Sequence, residues 1–373
     1  MDLENNIFML PGPVKMHPRV IRAMCVPALS HRDKKYYEIV KEIRELLKYV
    51  FRTNYEVCLF SASGTGGMDA AISNLLKKDD NVLSITNGKF GERFYEIAKV
   101  YARAKRIEFE WGKAPEIEKI DEELSKEEYK AVTLCFNESS TGLTNPAKEI
   151  GKVVKEHGAL FIVDGITALG GIKFTPEEIN ADVVVTGSQK CIAAPPGLSA
   201  LAISKEAYEM LTDYPYYLNI KQHIEKMKAD DTPWTSAVPL FLAFREALRI
   251  IKEEGLENRI KRTETLAKAT RDAMKTIGLK IFPDEKYASN TVTAIKYPPN
   301  ITDKEFRNRL KEEYSVVIAG GQDILKGKIF RIGHMGIVNF DLLCPTIASI
   351  ESLLKKMNYK IKESAINAII GYM

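Results

Sequence analysis

The stretch VVVTGSQKCIAAPPGLSALAIS, Val183 to Ser204, sets one lysine between two apolar runs. Each run is short, continuous and rich in β-branched or small apolar residues, the pattern of a strand covered on both faces. Gly-Ser-Gln-Lys closes the first run, and Pro-Pro-Gly opens the second. A lysine at a strand end is commonly a surface residue. Here the neighbours Ser188, Gln189 and Cys-Ile-Ala-Ala are unusual for a surface loop and point to a sheltered Lys190. Burial lowers an amine's pKa, and an amine so tuned attacks carbonyls to form a Schiff base.

The same alternation extends upstream. Residues 34–50 read as an amphipathic helix, EVCLF (56–60) as a strand, SASGTGG as a tight loop and MDAAISNLL as a helix. NVLSIT (81–86), KAVTLCF (130–136), ALFIVD (159–164), ADVVVTG and LSALAIS read as further strands, with GERFYEIAKVYA and AKEIGKVVKEHG as intervening helices. Apolar strands separated by helices of this length predict an α/β fold with a mostly parallel, doubly wound sheet. From about 238 the pattern changes. One helical stretch over 238–277 crosses EEGLENR and is followed by short strands (LKIF, TVTAIKY, SVVIAG, KIFRIG) and helices at 303–313 and 340–357. This predicts a smaller α+β domain. The expected division is an N-terminal segment 1–17, a large domain 18–255 and a small C-terminal domain 256–373.

Composition narrows the function classes. The 373 residues carry 54 basic and 50 acidic side chains, a net charge of +4 too even for a nucleic-acid or membrane surface. Mixed runs such as KKYYEIVKEIRELLKY read as solvated helix faces. Five scattered cysteines form no C-x-x-C pair and no metal-ligand spacing, so reduced thiols in a cytoplasmic protein and no metal are expected. MDLENNIFMLPGP lacks the basic start and long apolar run of a signal peptide, and no stretch reaches the roughly 18 apolar residues of a membrane helix. Abundant Lys, Glu and Ile beside only three glutamines fit a thermophile, on compositional grounds alone.

Candidate site residues fall at strand ends, where open α/β sheets bind ligands. SASGTGGMDAA follows a strand and opens a helix, so its backbone N–H groups could meet an anion, although a plain glycine-rich turn reads the same way and neither a Walker motif nor G-x-G-x-x-G is present. Asp164 ends an apolar strand, where a carboxylate needs a cationic partner unless it caps the next helix. A phosphate-type loop, this carboxylate and Lys190 together suit pyridoxal 5′-phosphate. That cofactor needs a phosphate cradle, an acid that keeps its pyridine nitrogen protonated, and a lysine for its aldehyde.

At this point the chain resembles the class V aminotransferases among the fold-type I pyridoxal-phosphate enzymes, most closely the serine–pyruvate / alanine–glyoxylate aminotransferases. The resemblance rests on LPGPV (10–14), SASGTGGMDAA (61–71), NGKFGER (87–93), NESSTG (137–142), VDGITALGG (163–171), GSQKCIAAPPG (187–197), EGLENR (254–259), GG (320–321) and FRIGHMG (330–336), in order along nearly the whole chain. It implies that Lys190 carries the cofactor and then moves the substrate proton, and that Asp164 pairs with the pyridinium. It places Phe90 against one ring face (core packing is the plainer reading of Phe90 alone) and Ile166 against the other. Ser63, Gly64, Thr65 and Gln189 are implied at the phosphate and Ser140 near the ring 3-hydroxyl. Arg331 is implied on the substrate carboxylate, with the backbone near Gly12 approaching it.

The resemblance also implies a homodimer that shares its active sites. One segment departs from the pattern. Where the family has a Tyr-x-x-Thr-x-Pro-like element that reaches a neighbouring subunit's phosphate, this chain has DTPWTSAVPL, with Trp234 and Ala237 at the aromatic and threonine positions and Thr235 or Ser236 as substitutes. The expected reaction is ping-pong transfer of an amino group from alanine or serine to pyruvate or glyoxylate, with small-molecule partners only. Broad specificity for aspartate, glutamate or phosphoserine is the alternative. A lyase of the cysteine desulfurase kind is disfavoured because SVVIAGGQDILKGKIF has no cysteine, and a non-catalytic binding protein because Lys190, Asp164 and Arg331 are all retained. Arg32, Lys15 and His334 are candidates for a distal anionic group, with packing or surface placement the plainer reading of His334.

Overall fold

The computed structural model describes residues 6–373, so the first five residues of the expected N-terminal segment lie outside the described residues. The central sheet has seven strands: β1 (Glu56–Phe60), β2 (Asn81–Thr86), β3 (Arg103–Glu108), β4 (Ala131–Cys135), β5 (Leu160–Asp164), β6 (Val183–Gly187) and β7 (Ser199–Ile203). They lie in the order β1-β7-β6-β5-β4-β2-β3. Only β7 runs against its neighbours, pairing antiparallel with β1 and β6. The remaining pairs are parallel. Every residue of β4, β5, β6 and β7 is buried, which explains their unbroken apolar character.

Four local readings change. The sequence of β3, RAKRIE, was not legible as a strand because it is charged and largely exposed, the composition that blunts a sheet edge. The loop read into SASGTGG is shorter than expected: the helix already begins at Gly64 and runs to Leu75. The long helical stretch is two helices, Val238–Glu254 and Leu256–Thr276, separated at Gly255, whose φ of 80° is a conformation that favours glycine. LKIF contributes only a single bridge, Ile281 to Ile295.

Two apolar cores result. The first takes in residues from Val20 to Ile260 and surrounds the large sheet. The second joins Met9 to residues from Leu266 to Ile369 around a three-stranded sheet of β8 (Val292–Lys296), β9 (Ala319–Gly320) and β10 (Ile329–Gly333). The helix Leu256–Thr276 serves both, its first turns facing the first core and the rest the second. The N-terminal segment docks on the second core by pairing Ile7–Phe8 with Val316–Val317. No helix among the described residues is long and apolar enough to cross a membrane.

Packing of helix on sheet is tight where small residues permit it. Gly151, in the helix Ala147–Glu156, lies so close to the Ile179 carbonyl that a Cβ would stand 2.0 Å from its oxygen. In an exposed helix a glycine-to-alanine change stabilises by up to about 1 kcal/mol. Here the backbone contact reverses the sign. Gly151→Ala is expected to destabilise by ~1–3 kcal/mol, seen as a lower denaturant midpoint; an unchanged or higher midpoint would show that the helix can move away freely.

Candidate active site

β1, β2, β4, β5 and β6 all end on the same side of the sheet, and their following loops surround a cavity of about 110 Å³. It is lined by Ser63, Gly64, Thr65, Phe90, Arg93, Cys135, Asn137, Asp164, Ile166, Thr167, Gln189 and Lys190. Larger depressions, of about 630 and 680 Å³, lie on the surface among side chains such as Lys48, Arg52 and Glu257 or Arg19, Glu42 and Arg249. They gather no buried convergent polar groups. The small cavity does.

Asp164 ends β5 and is almost wholly buried. One oxygen accepts from the Ile166 N–H at 2.8 Å. Burial, with Glu138 adding to it, outweighs that bond and the opposing pull of Arg93 and Lys190, and the carboxyl is pushed up to about 7. Lys190 leaves the end of the adjacent β6. Burial first, then the Arg331 charge, pulls its pKa down to about 8. Its Nζ donates to the Pro11 carbonyl at 2.8 Å. The N-terminal segment therefore lies directly across the lysine. At Gly12 (φ 95°) a Cβ would stand 2.4 Å from Lys190 Cδ, so only glycine fits there. Val14 N–H to Gln189 O and Gly333 N–H to Met9 O hold the same segment on both sides.

The phosphate-type loop is a helix start. Ser63 occupies the cap position without a side-chain cap bond, and the first backbone bond of that helix is Gly67 N–H to Ser63 O. The N–H groups of Gly64, Thr65 and Gly66 precede that bond, as helix geometry requires. Gly64 packs against Ile166, leaving 2.6 Å between a would-be Cβ and Ile166 Cδ1. Nearby, the Gln189 side-chain oxygen is buried with no partner, a polar group that the protein itself does not satisfy.

Three expected residues stand outside the lining: Gly12, Arg331 and Ser140. Gly12 touches Lys190. Arg331, on β10, is 6% exposed and donates to Gly320 O at 2.9 Å and Ser139 O at 2.8 Å. Burial lowers its pKa to about 10, and its charge still reaches Lys190. Ser140 donates its hydroxyl to Glu138 Oε1 at 2.5 Å and accepts from the Lys89 N–H at 3.0 Å. Asn137 and Thr167 are polar side chains of the lining, joined by Asn137 Nδ2 to Thr167 Oγ1 at 2.7 Å. Asn137 stands three positions before Ser140 in the same quoted motif, and Thr167 directly follows Ile166. Arg93 was also missed. It lies one helical turn after Phe90, hence on the same face, with its guanidinium 4.9 Å from the Phe90 ring centre and 3.3 Å from Thr65 Oγ1.

Arg32 and His334 do not line the cavity. Arg32 pairs with Asp231 at 2.6 Å. His334 is fully buried, with Nε2 2.8 Å from Thr293 Oγ1 and Nδ1 without a partner. In the departing segment, Thr232 and Ser236 hydroxyls lie 2.7 Å apart, while Thr235 is exposed. Trp234 stacks near Tyr216, ring centres 4.7 Å apart.

A family model described as aminotransferase class-V matches residues 19–340. The chain belongs to that family. An uncharacterised aminotransferase of Methanocaldococcus jannaschii is 44% identical, over 98% of this chain and 97% of its own length. Serine–glyoxylate aminotransferase of Arabidopsis thaliana is 32% identical, over 94% and 91%. The crystal structure of ureidoglycine–glyoxylate aminotransferase from Bacillus subtilis superposes with a TM-score of 0.93 at 28% identity, covering 100% of this chain and 99% of that one. The class-V aminotransferase fold is thus the fold-type I transferase fold read from the sequence, and the protein is an enzyme of a pyridoxal-phosphate-dependent family.

The raised pKa of Asp164 has a measurable consequence for the ligand-free enzyme. An unfolded aspartate titrates near ~3.9. Between there and about 7 the folded chain holds a proton that the unfolded chain releases. Stability from the neutral carboxyl is present below the unfolded value and is lost as pH rises through the folded one. Asp164→Asn, neutral throughout, is expected to lose less thermal stability than the parent between pH 5 and pH 8. Equal losses would mean that Asp164 is already ionised at pH 5.

Proposed function

We propose that this aminotransferase binds pyridoxal 5′-phosphate in the small cavity and moves an amino group from a small L-amino acid, alanine or serine, to glyoxylate or pyruvate. The observation that carries this reading is the pairing of Asp164 and Lys190 at adjacent strand ends. A carboxyl and an amine there have pKa values of about 7 and about 8 in one sheltered cavity. Glyoxylate is supported as acceptor because the names of both functionally named relatives carry it.

The residues fit the cofactor. The helix-start N–H groups at 64–66, which precede the first helical bond, suit a phosphate, and the Gln189 side chain would meet it through its NH2. Phe90 and Ile166 supply apolar surface for a ring, and Asp164 suits its pyridinium nitrogen, whose positive charge would draw the carboxyl back to its ionised form. When bound, the cofactor supplies an electron sink for the substrate α-carbon. The chain's own part is to hold groups and move one proton. Lys190 Nζ, its pKa lowered to about 8 and covered on one side by Pro11 and Gly12, serves as the base that takes the α-proton and returns it. Asp164 keeps a negative charge at the sink's far end. Arg331, fixed by two carbonyls, offers a planar fork to the substrate carboxylate.

A homodimer is part of the proposal. Tyr214, Tyr216 and Tyr217 are 62%, 72% and 49% exposed beside Trp234, an apolar surface that a second copy would cover. We also place the enzyme in the cytoplasm, a placement supported by five free thiols.

Two measurements test the reading. Pyridoxal phosphate added to the purified protein should give a visible imine band that L-alanine or L-serine bleaches and glyoxylate restores. A protein that stays colourless loses the cofactor assignment, and one bleached by aspartate or phosphoserine alone loses the donor class. Arg331→Ala should raise the KM for the amino donor by roughly tenfold or more, the scale of a lost charge-assisted pair, with a much smaller effect on cofactor Kd. Equal losses in both would remove Arg331 from the carboxylate.

A further inference from the structure

Glu138 is a fully buried carboxylate that does not line the cavity. It occupies the position just before the Ser-Ser of the NESSTG motif, on the exit from β4. Four donors converge on it. Phe90 N–H and Gly91 N–H reach Oε2 at 2.9 and 3.0 Å. The Ser140 N–H and hydroxyl reach Oε1 at 3.2 and 2.5 Å.

The first pair belongs to the start of the helix Lys89–Tyr101, whose cap residue Gly88 supplies no side-chain bond. Glu138 is thus the cap, delivered from a different strand. A local Ser or Asn at the cap position would satisfy such N–H groups without burying a charge. A carboxylate from the short strand Asn137–Glu138, just after β4, does something further: it ties the helix start to the segment that brings Asn137 to the cavity lining. Gly88 makes room for it, since a Cβ there would stand 2.2 Å from Glu138 Cγ. The first residues of that helix are the ones that enter the cavity. Phe90 is itself a donor to Glu138, and Arg93 leans on its ring one turn later.

We propose that Glu138 is a positioning residue, which fixes the helix start and through it the ring of Phe90 against which the cofactor binds. Negative charge at a helix N-terminus and bonds to two consecutive amides hold that start in place. Ser140 is the second arm of the same device, and its hydroxyl is spent on Glu138 for that reason. The proposal rests on the cofactor reading above.

The test is cofactor affinity rather than turnover. Kd for pyridoxal phosphate is measured by equilibrium dialysis on the ligand-free wild type, Glu138→Gln, Phe90→Ala and the double variant. Glu138→Gln keeps the shape but replaces one acceptor oxygen by a donor, and is expected to raise Kd roughly tenfold. Acting through Phe90, it should add little to Phe90→Ala, so that the double variant binds as Phe90→Ala does. A wild-type Kd in Glu138→Gln overturns the proposal, and so do losses that multiply in the double variant, which would make Glu138 a general scaffold residue. If Glu138→Gln does not fold, Ser140→Ala replaces it. That variant should raise Kd about threefold, with no further loss on Phe90→Ala, and a wild-type Kd overturns the proposal. Failure of the wild type to bind pyridoxal phosphate would instead sink the cofactor reading itself.

Discussion

The structure turns on burying two ionisable groups of opposite charge, Asp164 and Lys190, at the ends of neighbouring parallel strands. Desolvation disfavours both charged forms, so it raises the acid and lowers the amine toward one another. Neither group could hold such a value on an exposed loop. The inner strands are buried and mostly apolar, and the candidate site residues collect beyond their carboxyl ends.

Keeping water from the lysine needs a cover, and the chain supplies it from its own beginning. Residues 9–14 run between the Gln189–Lys190 turn and Gly333, accepting the Lys190 ammonium at Pro11 O. Because the same segment pairs with Val316–Val317 near β10, the lysine, its cover and Arg331 belong to one connected structure spanning both cores. Glu138 ties the aromatic side of the cavity to the segment after β4 in a comparable way, with Ser139 O meanwhile orienting Arg331. The three residues Glu138, Ser139 and Ser140 therefore connect Phe90 and Arg331 without themselves lining the cavity.

The β/α alternation was legible because buried parallel strands show as continuous apolar runs. The edge strand Arg103–Glu108 was not, since hydrogen bonding to β2 rather than apolar burial makes it a strand. Similarly, SASGTGG carries so many small residues that its composition reads as loop. The helix starts at Gly64 because the turn packs on Ile166 and Ser199, contacts distant in sequence. Lys190, Asp164, Phe90 and the 63–65 turn could be picked out from motif order and from the chemistry of their residue types. Arg93, Asn137 and Thr167 could not be separated from their motif neighbours, because a one-dimensional motif does not say which side chains face the cavity.

By itself, then, the sequence determined the fold class, the large sheet with its smaller companion and the chemical types at the site. Each of these follows from local periodicity or from a residue type that few environments tolerate. Only the tertiary structure decided which side chains face the cavity, that the N-terminal segment shelters Lys190, and that a carboxylate from the segment after β4 caps the helix bearing Phe90. Those outcomes depend on hydrogen bonds between residues tens to hundreds of positions apart, and no local pattern encodes the direction in which a side chain finds its partner.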